Sequence, residues 1–239
     1  KAAAIGIPTK PLDAMYAEPA RAFLERHGGT VRTGAPARVR LNGDRLLHVE
    51  SGADRFEVPV VVPAVPWFAF ADVFDDGPHA IAGVAAQARQ MRSCPIVTVN
   101  LWLDGPLFEE PFVGLPGRDM QWVFDKRQAF GASASHLSLV SSGAEGVAQR
   151  TNDALIAGAH EELLNAFPRA RTVKLLRATV VREPRATFSL APGQPRRPDT
   201  VTPVRGLFLA GDWIETGLPA TIESAVRSGH RAADAAAAG

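Results

Sequence analysis

The sequence has one cysteine, Cys94, and one tyrosine, Tyr16, in 239 residues. A lone cysteine excludes an internal disulfide and any cysteine metal cluster. The six histidines are scattered, with no zinc-like spacing. Charge of one sign is missing as well: the formal net charge is +1, and no basic run stands out beyond Arg196-Arg197. Electrostatics therefore give no ground for a nucleic-acid partner. The longest apolar stretch, Val58 to Ala71, is broken by Pro59, Pro63 and Pro66 and is too short for a membrane span. No signal peptide is visible, so the expected location is cytoplasmic. No Gly-x-Gly occurs anywhere, and the Gly-x-Gly-x-x-Gly dinucleotide fingerprint is therefore missing. No Ser-His-Asp, Cys-His or metal arrangement can be assembled from spacing alone.

What is there is ordinary globular material, 46% hydrophobic and 21% charged. Glu18-Pro19 opens a helix with Ala20, Phe23, Leu24 and His27 on one face, stopped by Gly28-Gly29. Arg38 to Leu41, Asn42-Gly43 and Arg45 to Val49 read as a hairpin, since Asn-Gly between alternating runs is a strong turn signal. A strand is predicted over Phe56 to Val62, and a short helix after Pro66 carries Trp67, Phe68, Phe70 and Phe74. A helix follows from His79 to Met91. Pro95–Leu103, Gln121–Phe124 and His136–Val140 read as strands of an antiparallel sheet. Asn152 to Phe167 is an amphipathic helix with Thr151 as its cap, and Thr172 to Val181 is a strand.

The end of the chain organises the rest. Leu207 to Ala210 is a short apolar run between glycines and reads as a buried strand. Ile222, Ala225, Val226, Ala232, Ala233 and Ala236 form a helical stripe with one side to bury, and Gly229 on it would allow close backbone approach. Pro219 suits the first helical turn. Gly217 and Leu218 offer no capping oxygen, which leaves a helix start with open N–H groups, unless Thr216 is the cap. Asp212, at the carboxyl end of the strand, either accepts from sugar or ribityl hydroxyls or orders its own turn.

Gly211-Asp212-Trp213, Thr216 to Thr221 and Glu223 to Gly229 resemble the C-terminal FAD-binding signature of the flavin amine oxidase and phytoene desaturase superfamily. The wording is most similar to its squalene-associated FAD-dependent desaturases, the hydroxysqualene dehydroxylases of hopanoid synthesis. The resemblance implies an α/β fold with an α+β substrate region: a partial Rossmann-like FAD-binding domain beside an antiparallel-sheet substrate domain. It implies FAD-domain parts at residues 1–66 and 204–239, with the substrate-binding domain at 67–203. It places Gly211 and Asp212 by the pyrophosphate and ribityl chain, and Ala220, Thr221 and Ile222 at the pyrimidine edge of the flavin. Val39 is matched to a backbone contact with adenine, with Ala37 as a competitor and plain sheet core as the other reading. Arg185 and Arg197 are candidates for phosphate, although exposed arginines are mostly solvated.

Two departures from the amine oxidases point away from an amine. Cys94 to Val97 supplies no lysine for flavin N5, and Thr221 stands where a cage tyrosine is common. The implied substrate is an apolar isoprenoid, and the implied reaction is loss of water from an allylic alcohol with hydride delivery from reduced flavin. The catalytic residues are unknown from the sequence. Trp102, Trp122, Phe124 and Trp213 are candidates to face a cationic intermediate. A carotenoid-type desaturase and a non-catalytic apolar-ligand module stay open as alternatives. The chain opens on Lys1 in what reads as a mid-protein loop, so it is expected to be the C-terminal part of a longer protein. A peripheral membrane contact is expected through Phe108 to Pro116, read as a loop with exposed apolar residues, against the alternative of an ordinary folded loop.

Overall fold

The computed structural model describes residues 6–75, 79–131 and 135–238. The opening at Lys1, read above as a loop, lies outside them. The strands are β1 (Arg38–Asn42), β2 (Arg45–Ser51), β3 (Asp54–Phe56), β4 (Ser93–Leu103), β5 (Phe112–Gly114), β6 (Trp122–Asp125), β7 (Ser135–Ser142) and β8 (Leu175–Phe188). The α-helices are α1 (Glu18–Arg26), α2 (Ala82–Gln90), α3 (Lys126–Phe130), α4 (Glu145–Ala148), α5 (Asn152–Ala166) and α6 (Ile222–Ala238). Contacts divide the chain into two units, residues 1–31 with 94–186, and 32–93 with 187–239.

The first unit is built on a five-stranded sheet of order β5-β6-β7-β4-β8. Its two faces follow from the period-2 alternation of β4. Val97, Val99, Leu101 and Leu103 are buried, whereas Thr98, Asn100 and Trp102 lie on a half-open face. Leu155, Ala159 and Leu163 of α5 join the buried set, together with Leu137 and Leu139 of β7. Each such leucine stabilises the unit by about 2 kcal/mol through apolar burial. Thr151 caps α5 as expected, its Oγ1 accepting from the Ala154 N–H at 3.2 Å. The segment 108–116 is not an exposed apolar loop. Phe108 and Leu115 are buried in the core, and Phe112 to Gly114 pair with β6. Helix α1 forms where Glu18-Pro19 places it, yet none of its residues is buried, and Phe23 and Leu24 are about half exposed.

In the second unit β1, β2 and β3 form an antiparallel meander. Asn42 pairs with Arg45, so the turn residues are Gly43 and Asp44 rather than Asn42 and Gly43. Gly43 takes φ 60°, the left-handed conformation that Gly tolerates. Leu207 to Ala210 is extended but does not form a regular strand: Val61 bridges Leu207 in parallel, and Val201 bridges Phe208 antiparallel. Trp67, Phe70, Phe74, Ile81, Leu207, Leu209 and Trp213 share one core. That core joins residues 67–91 to the terminal segment, and contacts divide the chain at 31, 93 and 186. Among the described residues no helix is long and apolar enough to cross a membrane.

Candidate functional site

The first cluster of predicted residues lies in the second unit, where the chain leaves Ala210. Gly211 adopts φ 139°, and a Cβ there would sit 2.9 Å from the Trp213 indole. Its N–H donates to Ser228 Oγ at 2.8 Å. Ser224 Oγ donates to the Asp212 carbonyl at 3.1 Å and lies 2.6 Å from Thr216 Oγ1. Both serines are fully buried, so α6 holds the Gly211-Asp212 pair through hydroxyls. The sequence reading missed them. Of the stripe read from the sequence, Ala232 is buried, but Ile222 and Val226 are about half exposed, and the rest of the buried face is Ser224 and Ser228. The spacing i, i+4, i+8 was the available signal, hidden because serine is not apolar. Gly229 has no atom within 4 Å of a built Cβ, so no backbone approaches it.

The helix start is also corrected. Helix α6 begins at Ile222, and Thr221 is its cap, with Oγ1 accepting from the Ser224 N–H at 3.1 Å. Thr216 instead accepts from the Leu218 N–H within the preceding turn. The N–H groups of Ile222 and Glu223 fall in the first turn, which an α-helix cannot satisfy internally. Ala220 packs against the core, and Thr221 is exposed. Asp212 is half-buried. Burial pushes its carboxyl above the usual aspartate range, opposed by the backbone N–H groups of Asp212 and Trp213 and by Arg197. Arg197 is not a free phosphate ligand: it pairs with Glu215 at 2.9 Å and donates to the Leu218 carbonyl at 2.6 Å, tying down the 213–219 loop. Val39 is buried in β1, paired with Val49 and bridged to Phe74, beside a cavity of about 560 Å³. Trp213 belongs to the core, its Nε1–H donating to the Val65 carbonyl at 2.9 Å.

The second cluster lies on the half-open sheet face of the first unit. A cavity of about 470 Å³ is walled by Phe112, Trp122, Phe124 and Phe130, with Thr98 and Ser138 among its lining residues. Trp122 and Phe124 thus stand where an apolar ligand would meet aromatic faces. Trp102 does not, because His136 stacks on it at 4.2 Å and the Arg177 guanidinium lies 4.7 Å from its ring centroid. Helix α3, which supplies Lys126 and Phe130, is fixed by Asp125. This buried carboxylate accepts from the Arg127 N–H at 2.9 Å and from its guanidinium at 2.5 Å. Asp125→Ala is expected to destabilise the protein by about 3 kcal/mol, since it removes a cap and leaves Arg127 without its partner. Chemical denaturation checks this, and Arg127→Met in the same background should recover part of the loss.

Residues 7–237 match the family described as flavin containing amine oxidoreductase. The chain belongs to that family. Over 94% of its length it is 32% identical to a hydroxysqualene dehydroxylase of Sinorhizobium fredii, of which it covers 51%. It is 26% identical to a 15-cis-phytoene desaturase of Solanum lycopersicum, covering 89% of this chain and 39% of that protein. An oxidoreductase from Methanosarcina mazei superposes with a TM-score of 0.67 at 16% identity, over 88% of this chain and 51% of that one, and so shares the fold. The chain spans about half the length of the curated relatives it matches. FAD is the cofactor that goes with this family. The donor set at the end of the chain fits it: an acceptor-only carboxylate at Asp212 suits ribityl hydroxyls, and first-turn N–H groups suit a carbonyl or anion.

Proposed function

We propose that this chain is part of an FAD-dependent oxidoreductase acting on a C30 isoprenoid alcohol, converting hydroxysqualene to squalene. The observation that carries the reading is the aromatic cavity on the sheet face, about 470 Å³ and mostly apolar in its lining. Such a cavity suits a water-insoluble chain better than a charged amine. The similarity to proteins named hydroxysqualene dehydroxylase supports the same substrate. When bound and reduced, FAD would supply the hydride, with the hydroxyl taking up a proton and leaving as water.

The chain's own residues bind and orient. Asp212 would accept from a ribityl or neighbouring hydroxyl, while Gly211 would let the backbone approach the phosphates. The N–H groups at Thr221 and Ile222 would hold the pyrimidine edge, with Ala220 beside them, and the Val39 backbone would meet adenine. Phe124 and Trp122 exclude water and offer ring faces to positive charge, about 1–2 kcal/mol each when desolvated. Peripheral membrane contact belongs to this reading because the substrate partitions into lipid. Residues 108–116 do not supply it, since Phe108 and Leu115 are buried.

The test is product analysis with FAD-loaded protein and a reductant. Hydroxysqualene should yield squalene, and phytoene should be returned unchanged. Desaturated phytoene would favour the reverse hydride direction instead, and failure to retain FAD would favour a non-catalytic apolar-ligand module.

A further inference from the structure

The floor of the aromatic cavity is not apolar throughout. Ser138 of β7 pairs with Asn100 of β4 and with Phe124 of β6, which puts one polar pair in line with the aromatic wall. The Ser138 hydroxyl donates to Asn100 Oδ1 at 2.6 Å, and His136 Nε2 lies 3.0 Å from the same oxygen. Asn100 Oδ1 therefore has both lone pairs engaged. Ser138 has committed its only hydrogen, so its Oγ is left as an acceptor at the edge of the cavity it lines. A hydrocarbon passing this point would leave that acceptor dehydrated and unpaired. A protonated amine would bring a donor, but it would have to shed its hydration to enter a cavity lined mostly by apolar side chains. A neutral alcohol satisfies the acceptor at a much smaller dehydration cost.

We propose that Ser138, oriented by Asn100, is the subsite for the substrate hydroxyl and makes the cavity prefer an isoprenoid alcohol over its hydrocarbon and amine counterparts. Ser138 touches the substrate, whereas Asn100 and His136 are positioning residues. Their hydrogen bonds keep the Ser138 hydrogen pointed away from the ligand. This assignment rests on the proposed reading of the cavity as the isoprenoid site, and it goes further by naming which atom receives the oxygen.

Binding can be measured without turnover, by quenching of tryptophan fluorescence in FAD-loaded protein with hydroxysqualene or squalene in mixed micelles. The unaltered protein should bind the alcohol roughly tenfold more tightly than the hydrocarbon, the worth of one well-placed neutral hydrogen bond. Ser138→Ala should bring that ratio close to one while leaving squalene affinity unchanged. Ser138→Cys keeps the side-chain shape with a somewhat larger, weakly accepting sulfur, and should behave in the same way if the alanine variant is poorly folded. Phe124→Ala should weaken both ligands together. An undiminished preference in folded Ser138→Ala or Ser138→Cys overturns the subsite but leaves the cavity reading standing. No binding of either ligand by the unaltered protein overturns both.

Discussion

Asp212→Ala is expected to purify with less than about a tenth of the FAD carried by the unaltered protein. A carboxylate that accepts from a ribityl or neighbouring hydroxyl contributes on the order of 1.5–3 kcal/mol, more than a neutral acceptor would. The same substitution should not unfold the protein. Burial raises the Asp212 carboxyl above its usual range, so the folded state holds the proton more firmly than the unfolded chain does. The group is then neutral in its effect on folding at low pH, begins to oppose folding as pH rises through its unfolded-state value, and opposes it fully above its folded-state value. Removing it relieves that opposition, and FAD-free Asp212→Ala should melt no lower than the FAD-free parent at neutral pH. Asp212→Asn keeps one acceptor and should retain an intermediate amount of flavin. Absorbance at the flavin band, together with thermal melts of FAD-stripped samples, separates the two effects. Normal FAD content in Asp212→Ala would remove this end of the chain from the cofactor site.

The largest loss of stability is expected from Gly206→Ala. Gly206 adopts φ 81°, and a Cβ there would sit 2.3 Å from the Pro59 carbonyl oxygen. That contact is with backbone, so no side chain can swing aside. The Gly206 carbonyl accepts from the Val61 N–H at 2.8 Å, and the Val61 carbonyl accepts from the Phe208 N–H at 3.1 Å. Relieving the clash therefore means separating 59–61 from 206–208, the pairing that holds the terminal segment against the rest of its unit. The expected loss is about 3 kcal/mol or more, which at this chain length lowers the melting temperature by roughly 6–12 °C. Two other glycines calibrate the effect. Gly217 has φ 77° with open space around it, so Gly217→Ala should lose only about 1–2 kcal/mol. Gly229 lies inside α6 with nothing within 4 Å, so Gly229→Ala should be stabilising by about 0.5–1 kcal/mol. Equal melting temperatures for Gly206→Ala and Gly217→Ala would show that the close approach of Pro59 does not govern stability.

Thr221→Ala illustrates how the structure changes an expectation that the sequence supports. Read as a bare helix start, position 221 should tolerate alanine with little effect. Because Thr221 Oγ1 accepts from the Ser224 N–H, the substitution removes an N-cap that is worth about 1 kcal/mol. Ile222 precedes the capped N–H groups at the first helical position, where proline remains acceptable.

The regular parts of the fold were legible because periodicity marks them. In β4 the partial alternation of Ile96, Val97, Val99, Leu101 and Leu103 gave the strand, and the structure buries all of these but Ile96. In α5 the Thr151 cap and the Leu155, Ala159 and Leu163 face gave the helix and its start. Strand β5 was not legible, since three residues within Phe108 to Pro116 carry no period, and pairing to β6 makes them a strand. The face of α6 was read only in part, at Ala232, for a chemical reason. Its inward positions carry Ser224 and Ser228, which satisfy Gly211 and the Asp212 carbonyl, and a pattern search for apolar residues passes over hydroxyls. Gly211 and Asp212 stood out through the family signature, whereas the Ser138–Asn100 pair had no signature at all. It exists only because β4 and β7 place the two residues opposite each other.

The most direct measurement of the proposed reaction is a single turnover by FAD-loaded protein reduced anaerobically in D2O and mixed with hydroxysqualene. The expected product is squalene carrying one deuterium on the carbon that held the hydroxyl, formed in amounts equal to the flavin oxidised. Squalene without that deuterium, or flavin that stays reduced while the alcohol is consumed, would contradict an oxidoreductase that delivers hydride to an isoprenoid alcohol.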